Sequence, residues 1–144
     1  MKRVKLFLAL AVAPAVLVAC SAPLDVTVFN NTGDAIEVIT DRSNGKIEPD
    51  QFDNFQFPSH GVFPLLRITG SKCEYLYDLE TARYPAEEWN RGVVAAGRGI
   101  QVQVEKDFSI DLLPADYTGT GAAPSEIIPK REGFPLRPFS KKCR

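Results

Sequence analysis

Ile100, Val102 and Val104 alternate with Gln101, Gln103 and Glu105 in the cleanest two-residue period of the chain. Such a period sends one set of side chains to each face of a strand, and a slip of one residue would invert both faces. Shorter runs of the same kind recur, each bounded by turn residues. Leu24, Val26 and Val28 set against Asp25, Thr27 and Phe29 give a strand over 24–30, and Ile36 and Val38 set against Glu37 give another over 35–40. Between them, Asn30-Asn31-Thr32-Gly33-Asp34 supplies residues that tolerate positive φ, so the two runs read as a hairpin. A second turn covers 41–45, and Phe52, Phe55 and Phe57 mark the next extended stretch. Pro64 cannot donate to a ladder, which sets the start of the following strand at about Leu65. Residues 73–79 alternate Tyr75 and Tyr77 with Leu76, and residues 108–112 are placed to pair with 100–105 across the Lys106-Asp107 turn.

One short helix is expected over 85–90, where Pro85 suits a first turn, Glu87 and Glu88 suit the positive end of the dipole, and Gly92 supplies a stop. Trp89 in that segment is placed to cover an open end of the sheets. From Pro114 onward the alternation dissolves into Tyr117-Thr118-Gly119-Thr120-Gly121 and repeated prolines, so an extended strap with no further core is expected. The fold class that follows is all-β: a small antiparallel β-sandwich or barrel with one short helix and an irregular, Pro-rich C-terminal strap. The sandwich is assigned to residues 24–113 and the strap to 114–144.

The start of the chain is of a different kind. Met1-Lys2-Arg3-Val4-Lys5 precedes an apolar run over 6–19 that is interrupted by Pro14. A bilayer span needs about 20 apolar residues, and this run is shorter and carries a proline that disturbs a helix. An ordinary secretory signal fits the charged start, the apolar middle and the small residue at the end. The run closes, however, on Leu17-Val18-Ala19-Cys20, which resembles the lipobox of bacterial lipoproteins. The resemblance covers the first twenty residues and implies that Cys20 receives a diacylglyceryl group, that residues 1–19 are removed, and that residues 20–23 form a lipidated tether. Ser21 stands where an inner-membrane retention signal would resemble Asp, which by the same resemblance favours the outer membrane, facing the periplasm.

Without residues 1–19 the chain keeps 14 basic against 18 acidic side chains, and they are unevenly spread. From Lys130 onward there are six basic residues and only Glu132, whereas the stretch before it carries eight basic and 17 acidic residues. An acidic body with a basic tail disfavours nucleic acid as a partner. If Cys20 carries lipid, Cys73 and Cys143 remain as an even pair outside the cytosol, and a disulfide between them is expected, two free thiols being the alternative. Such a bridge would tie the basic strap to the body near Glu74, Asp78 and Glu80. The strap then either docks internally or offers cations to an anionic partner such as lipid headgroups or wall polymer.

The search for chemistry yields no catalytic set, no metal site and no cofactor motif. His60 is the single histidine, so two-histidine metal motifs are excluded, and neither Ser59 nor Ser71 sits in a Gly-x-Ser-x-Gly turn. His60 beside Ser59 reads as a turn residue rather than a base serving a nucleophile. Two isolated cysteines and one histidine do not fill a zinc shell. Asp50 with Asp53, and Asp41 with Ser43, lack the acidic ligand that completes a calcium loop. Glu87 and Glu88 are neighbours that face different ways on a helix, and Gly97-Arg98-Gly99 is too short to cradle phosphate. Tyr75, Tyr77, Tyr84 and Trp89 either line a binding face or pack as core and rim. Two functional classes follow. The first is a non-enzymatic lipoprotein, a structural or binding accessory with an envelope protein as partner; the second is a small lipoprotein inhibitor of a cell-wall hydrolase such as lysozyme.

Overall fold

The structure is a computed structural model that describes residues 24–57, 65–78, 100–114, 116–131 and 133–144. Its strands are β1 (Leu24–Asn30), β2 (Ile36–Ile39), β3 (Asn44–Ile47), β4 (Phe52–Phe57), β5 (Leu65–Thr69), β6 (Cys73–Asp78), β7 (Ile100–Val104), β8 (Ile110–Leu112) and β9 (Ser140–Cys143), with one 3-10 turn at Ser125–Ile127. They form a β-sandwich of two sheets, ordered β4-β1-β7-β8 and β3-β2-β5-β6-β9. The expected helix over 85–90, with Trp89, Glu87 and Glu88, lies outside the described residues. So do His60, Tyr84, residues 97–99 and the segment from Leu17 to Cys20.

The inward faces are those the alternation predicts. Val26, Val28, Ile36, Val38, Ile68, Tyr77, Ile100, Val102, Val104 and Ile110 are all buried in one core between the sheets. Tyr75 and Tyr77 therefore belong to the core and not to a binding face. Tyr77 donates its hydroxyl to the Phe108 carbonyl at 2.6 Å, which satisfies the polar end of a buried ring. Tyr75 stacks on Phe108 with centroids 3.9 Å apart. Gly70 makes this possible, because a Cβ there would lie 2.6 Å from the Phe108 ring.

Two expectations of pairing are corrected. The runs over 24–30 and 35–40 do not form a hairpin: β1 pairs with β4 and β7, and β2 with β3 and β5, so the chain crosses from one sheet to the other between them. The cause is Asn30, which continues the inward phase of Val26 and Val28 and is fully buried. Its Nδ2 donates to the carbonyls of Asp34 (2.7 Å) and Ile47 (3.0 Å). Its Oδ1 accepts the Thr32 N–H at 3.0 Å and the Thr32 hydroxyl at 2.7 Å. All four hydrogen-bonding positions of the carboxamide are filled, and Gly33 at φ 88° carries the bend. The sandwich is also not wholly antiparallel, since β1 and β7 run parallel. A parallel pair needs a long connection, and here the intervening strands supply it.

The strap is corrected as well. Ala123 and Leu136 are buried, and residues 140–143 form β9 on the edge of the second sheet. Gln103 points away from the main core yet is fully buried, because the strap lies over it. Its Oε1 accepts the Ala123 N–H at 2.6 Å and its Nε2 donates to the Ala123 carbonyl at 3.1 Å. Phe29, Leu113 and Ala123, with Tyr117 and Ile128 against them, make a second small core on the outer face of β1 and β7. The strap then bridges to β8 through Ile110 and Leu136 and crosses to β6, closing that side of the sandwich. On the other side, Thr40 donates its hydroxyl to the Gln56 carbonyl at 2.8 Å and so joins the two sheets.

Candidate interaction surface

The strand registers give the sandwich two distinct ends. At one end β1 begins and β4 stops, with Leu24 opposite Phe57, and β7 begins beside Val26 at Ile100. In the other sheet β5 begins and β6 stops there, with Leu65 opposite Asp78. The Thr40–Gln56 bond holds the β2–β3 turn to this same end. Leu24, the first described residue, lies at this end. At the far end lie the Asn30 crossing, the turns after β3, β5 and β7, and Arg144, whose N–H meets the Lys72 carbonyl at 3.2 Å.

Cys73 and Cys143 are bridged, 70 residues apart in sequence, with Cα atoms 4.1 Å apart. They are directly opposite in the β6–β9 register. Closing a loop of this length lowers the entropy of the unfolded chain by an amount worth about 4 kcal/mol in the chain-entropy account. The bridge fixes β9, a strand of four residues, as the outer edge of its sheet.

The cations of the strap are thereby placed along one edge. Lys142 stands opposite Glu74, and Lys141 opposite Tyr75 with its Nζ 5.4 Å from the ring centroid. Arg137 pairs with Asp107 at 3.6 Å, both side chains being more than half exposed. Glu74 is also 3.8 Å from Arg67. Across the outer face of this sheet the register sets Lys46, Glu37, Thr69, Glu74 and Lys142 in one row, alternating in sign at its two ends. The strap is docked on the body, and its exposed pairs are each worth about 0 to 1 kcal/mol.

Titration is perturbed around the β7–β8 turn. Asp107 is held below the usual carboxylate range, first by the Ser109 hydroxyl at 2.6 Å and the Ser109 N–H at 2.9 Å, then by Arg137. Asp111 is pushed up by burial and by the charges of Glu105 and Asp107. Burial likewise pushes the Tyr77 phenol up, with smaller contributions from Tyr75 and Asp107. These shifts follow from packing and turn geometry.

Of the aspartates weighed as calcium ligands, Asp41 and Asp50 lie in bends or turns and Asp53 lies in β4. Asp53 Oδ1 accepts the Asn54 N–H at 2.8 Å, and the Ser43 hydroxyl accepts the Gln56 N–H at 3.0 Å. Among the described residues no group of three or more His, Cys, Asp or Glu side chains could hold a metal ion. Nor is any described helix long and apolar enough to cross a membrane. Two residues that shape this surface escape a reading by composition: Asn30 and Gln103, each a carboxamide in an otherwise apolar phase. Comparison with protein-family models, curated proteins and solved structures finds no match to this chain.

Proposed function

We propose that this chain is a lipoprotein of the bacterial envelope, tethered through Cys20, and that it acts as a non-enzymatic structural or binding accessory. The observation that carries the reading is the division of its three cysteines: Cys73 and Cys143 are joined to each other, which leaves Cys20 as the one sulfur for lipid. A structural disulfide fits an extracytoplasmic compartment. Leu17, Val18 and Ala19 supply the processing motif, and Ser21 favours the outer membrane. Position 20 precedes the first residue of β1, Leu24, by four residues, a tether of at most about 14 Å when fully extended. The sandwich is then held close to the bilayer, with its strand ends at Leu24 nearest the anchor.

A second reading is favoured by the far end, where Asp34, Glu48 and Asp50 are exposed on the loops of the Asn30 crossing and the β3–β4 turn. Acidic loops presented in this way suit an inhibitor of a basic cell-wall hydrolase. Cross-linking in intact membranes followed by capture of the chain distinguishes the two. The accessory reading expects a specific envelope protein to be captured and no effect of the isolated protein on lysozyme. Inhibition of lysozyme without such a partner transfers the function to the second reading, and release of the chain into the soluble fraction removes the anchor.

A further inference from the structure

The β9 edge carries two features that have separate causes in most sheets. The first is a line of cations: Arg137, Lys141, Lys142 and Arg144 on the strap, with Lys72 brought beside Arg144 by the N–H to carbonyl bond of 3.2 Å. Edge strands are commonly protected by lysine against pairing with other chains, which by itself explains Lys141 and Lys142. The second feature is Phe139, 60 % exposed and the most exposed large apolar side chain among the described residues. Edge protection does not call for an open phenyl ring, which offers an apolar contact where cations alone would keep the edge in water.

The ring is fixed in place. Phe139 donates its N–H to the Leu76 carbonyl at 2.9 Å, and β9 starts at the next residue, opposite Leu76. Leu76 lies two residues before β6 stops, so Phe139 is set toward the end of the sandwich at which β1 begins. From there β9 runs back toward the far end, carrying Lys141 and Lys142 with it. An exposed ring at the start of a basic edge strand has the composition of an interfacial contact, with an apolar group at the headgroup boundary and cations along the strand over anionic lipid.

We infer that the strap edge from Arg137 to Arg144 lies against an anionic phospholipid bilayer, with Phe139 entering the headgroup region and the cations facing lipid phosphates. This rests on the anchor reading, because the contact is too small to hold a free protein on a membrane. A tether of a few residues turns it into an intramolecular event at high effective concentration, so weak contacts suffice to set the orientation. Among the described residues near this edge, Asp107 and Glu74 are already met by Arg137 and Arg67. Those pairs are exposed and exchange readily for lipid phosphate.

The test is hydrogen exchange of the full protein, isolated from membranes and reconstituted in vesicles of phosphatidylcholine with or without phosphatidylglycerol. Phosphatidylglycerol is expected to slow exchange at 137–143 by about fivefold or more, an effect lost at high salt, as expected for screened surface charges. Residues 44–47, in β3 on the opposite edge of the same sheet, should not change. Phe139→Ser and Lys141→Glu with Lys142→Glu should each remove the slowing while leaving the disulfide, read by intact mass, in place. No slowing with phosphatidylglycerol, equal slowing at 44–47, or slowing that survives high salt would overturn the inference. The mass of the same sample reports whether Cys20 carries lipid. A lipidated protein without slowing refutes this orientation alone, whereas an unlipidated one refutes the anchor.

Discussion

The carboxamide of Gln103 holds both backbone groups of Ala123, accepting its N–H at 2.6 Å and donating to its carbonyl at 3.1 Å. One side chain on β7 thus does for the strap what a neighbouring strand would do. It converts residues 116–131 from a loose connection into a cover over Phe29 and Leu113. Gln103→Leu keeps the volume and removes both bonds, leaving two buried backbone groups unsatisfied. The expected loss of stability is about 2–5 kcal/mol, read by urea unfolding. Amide exchange at Ala123 should rise more than exchange in β2 and β5.

Asn30 plays the corresponding part at the sheet crossing. Asn30→Asp keeps the acceptor that serves Thr32 but removes the donor to Asp34 and Ile47 and sets a charge in a fully buried site. Asn30→Ala removes all four bonds and is expected to cost about 2–4 kcal/mol. Asn30→Asp should cost at least as much at neutral pH and recover partly in acid, as the carboxylate is protonated. Equal stability of both variants and the wild type would show that the carboxamide does not direct the crossing.

Replacing Cys73 and Cys143 together by serine should lower stability by about 2–4 kcal/mol. The loss should be local in its first effect. β9 pairs with β6 over four residues, so its amides are expected to exchange faster before the central strands do. An unchanged β9 would mean that Leu136 and the Ile110 bridge suffice to hold the strap.

Asp111 has its carboxyl pushed up by burial and by Glu105 and Asp107. A carboxyl with a raised folded-state pKa favours the protonated form, so its contribution is fully present below the unfolded value and is lost as pH rises through the folded one. At neutral pH it opposes folding. Asp111→Asn should therefore raise the melting temperature at pH 7, and the gain should shrink as pH falls through the raised folded-state value and be gone below about 3.9, the ordinary aspartate value. A gain that is constant with pH would assign it to packing instead.

Much of the fold was legible because burial follows the two-residue period. Val26 and Val28 and Ile100 to Val104 lie where the alternation put them, and β5 starts at Leu65, where Pro64 set it. The pairing partners were less legible. A hairpin and a sheet crossing both begin with a strand ending in Asn and Gly, and only the burial of the Asn30 carboxamide decides between them. The strap was misread for a related reason: its prolines and glycines forbid regular structure but not burial, and Gln103 gives no sign in sequence that it will pair with a backbone. The disulfide was legible from the parity of the cysteines, and it set the basic edge. Phe139 was not, since exposure of an apolar ring is a property of packing.

The assignment of the three sulfurs is the centre of the account, and mass spectrometry of the protein extracted from membranes tests it in one measurement. Alkylated before reduction and then digested, the protein should yield an N-terminal peptide that begins at Cys20 and carries diacylglyceryl, with Cys73 and Cys143 recovered as one linked, unalkylated pair. An N-terminus elsewhere, an alkylated and lipid-free Cys20, or Cys20 in a disulfide would contradict it.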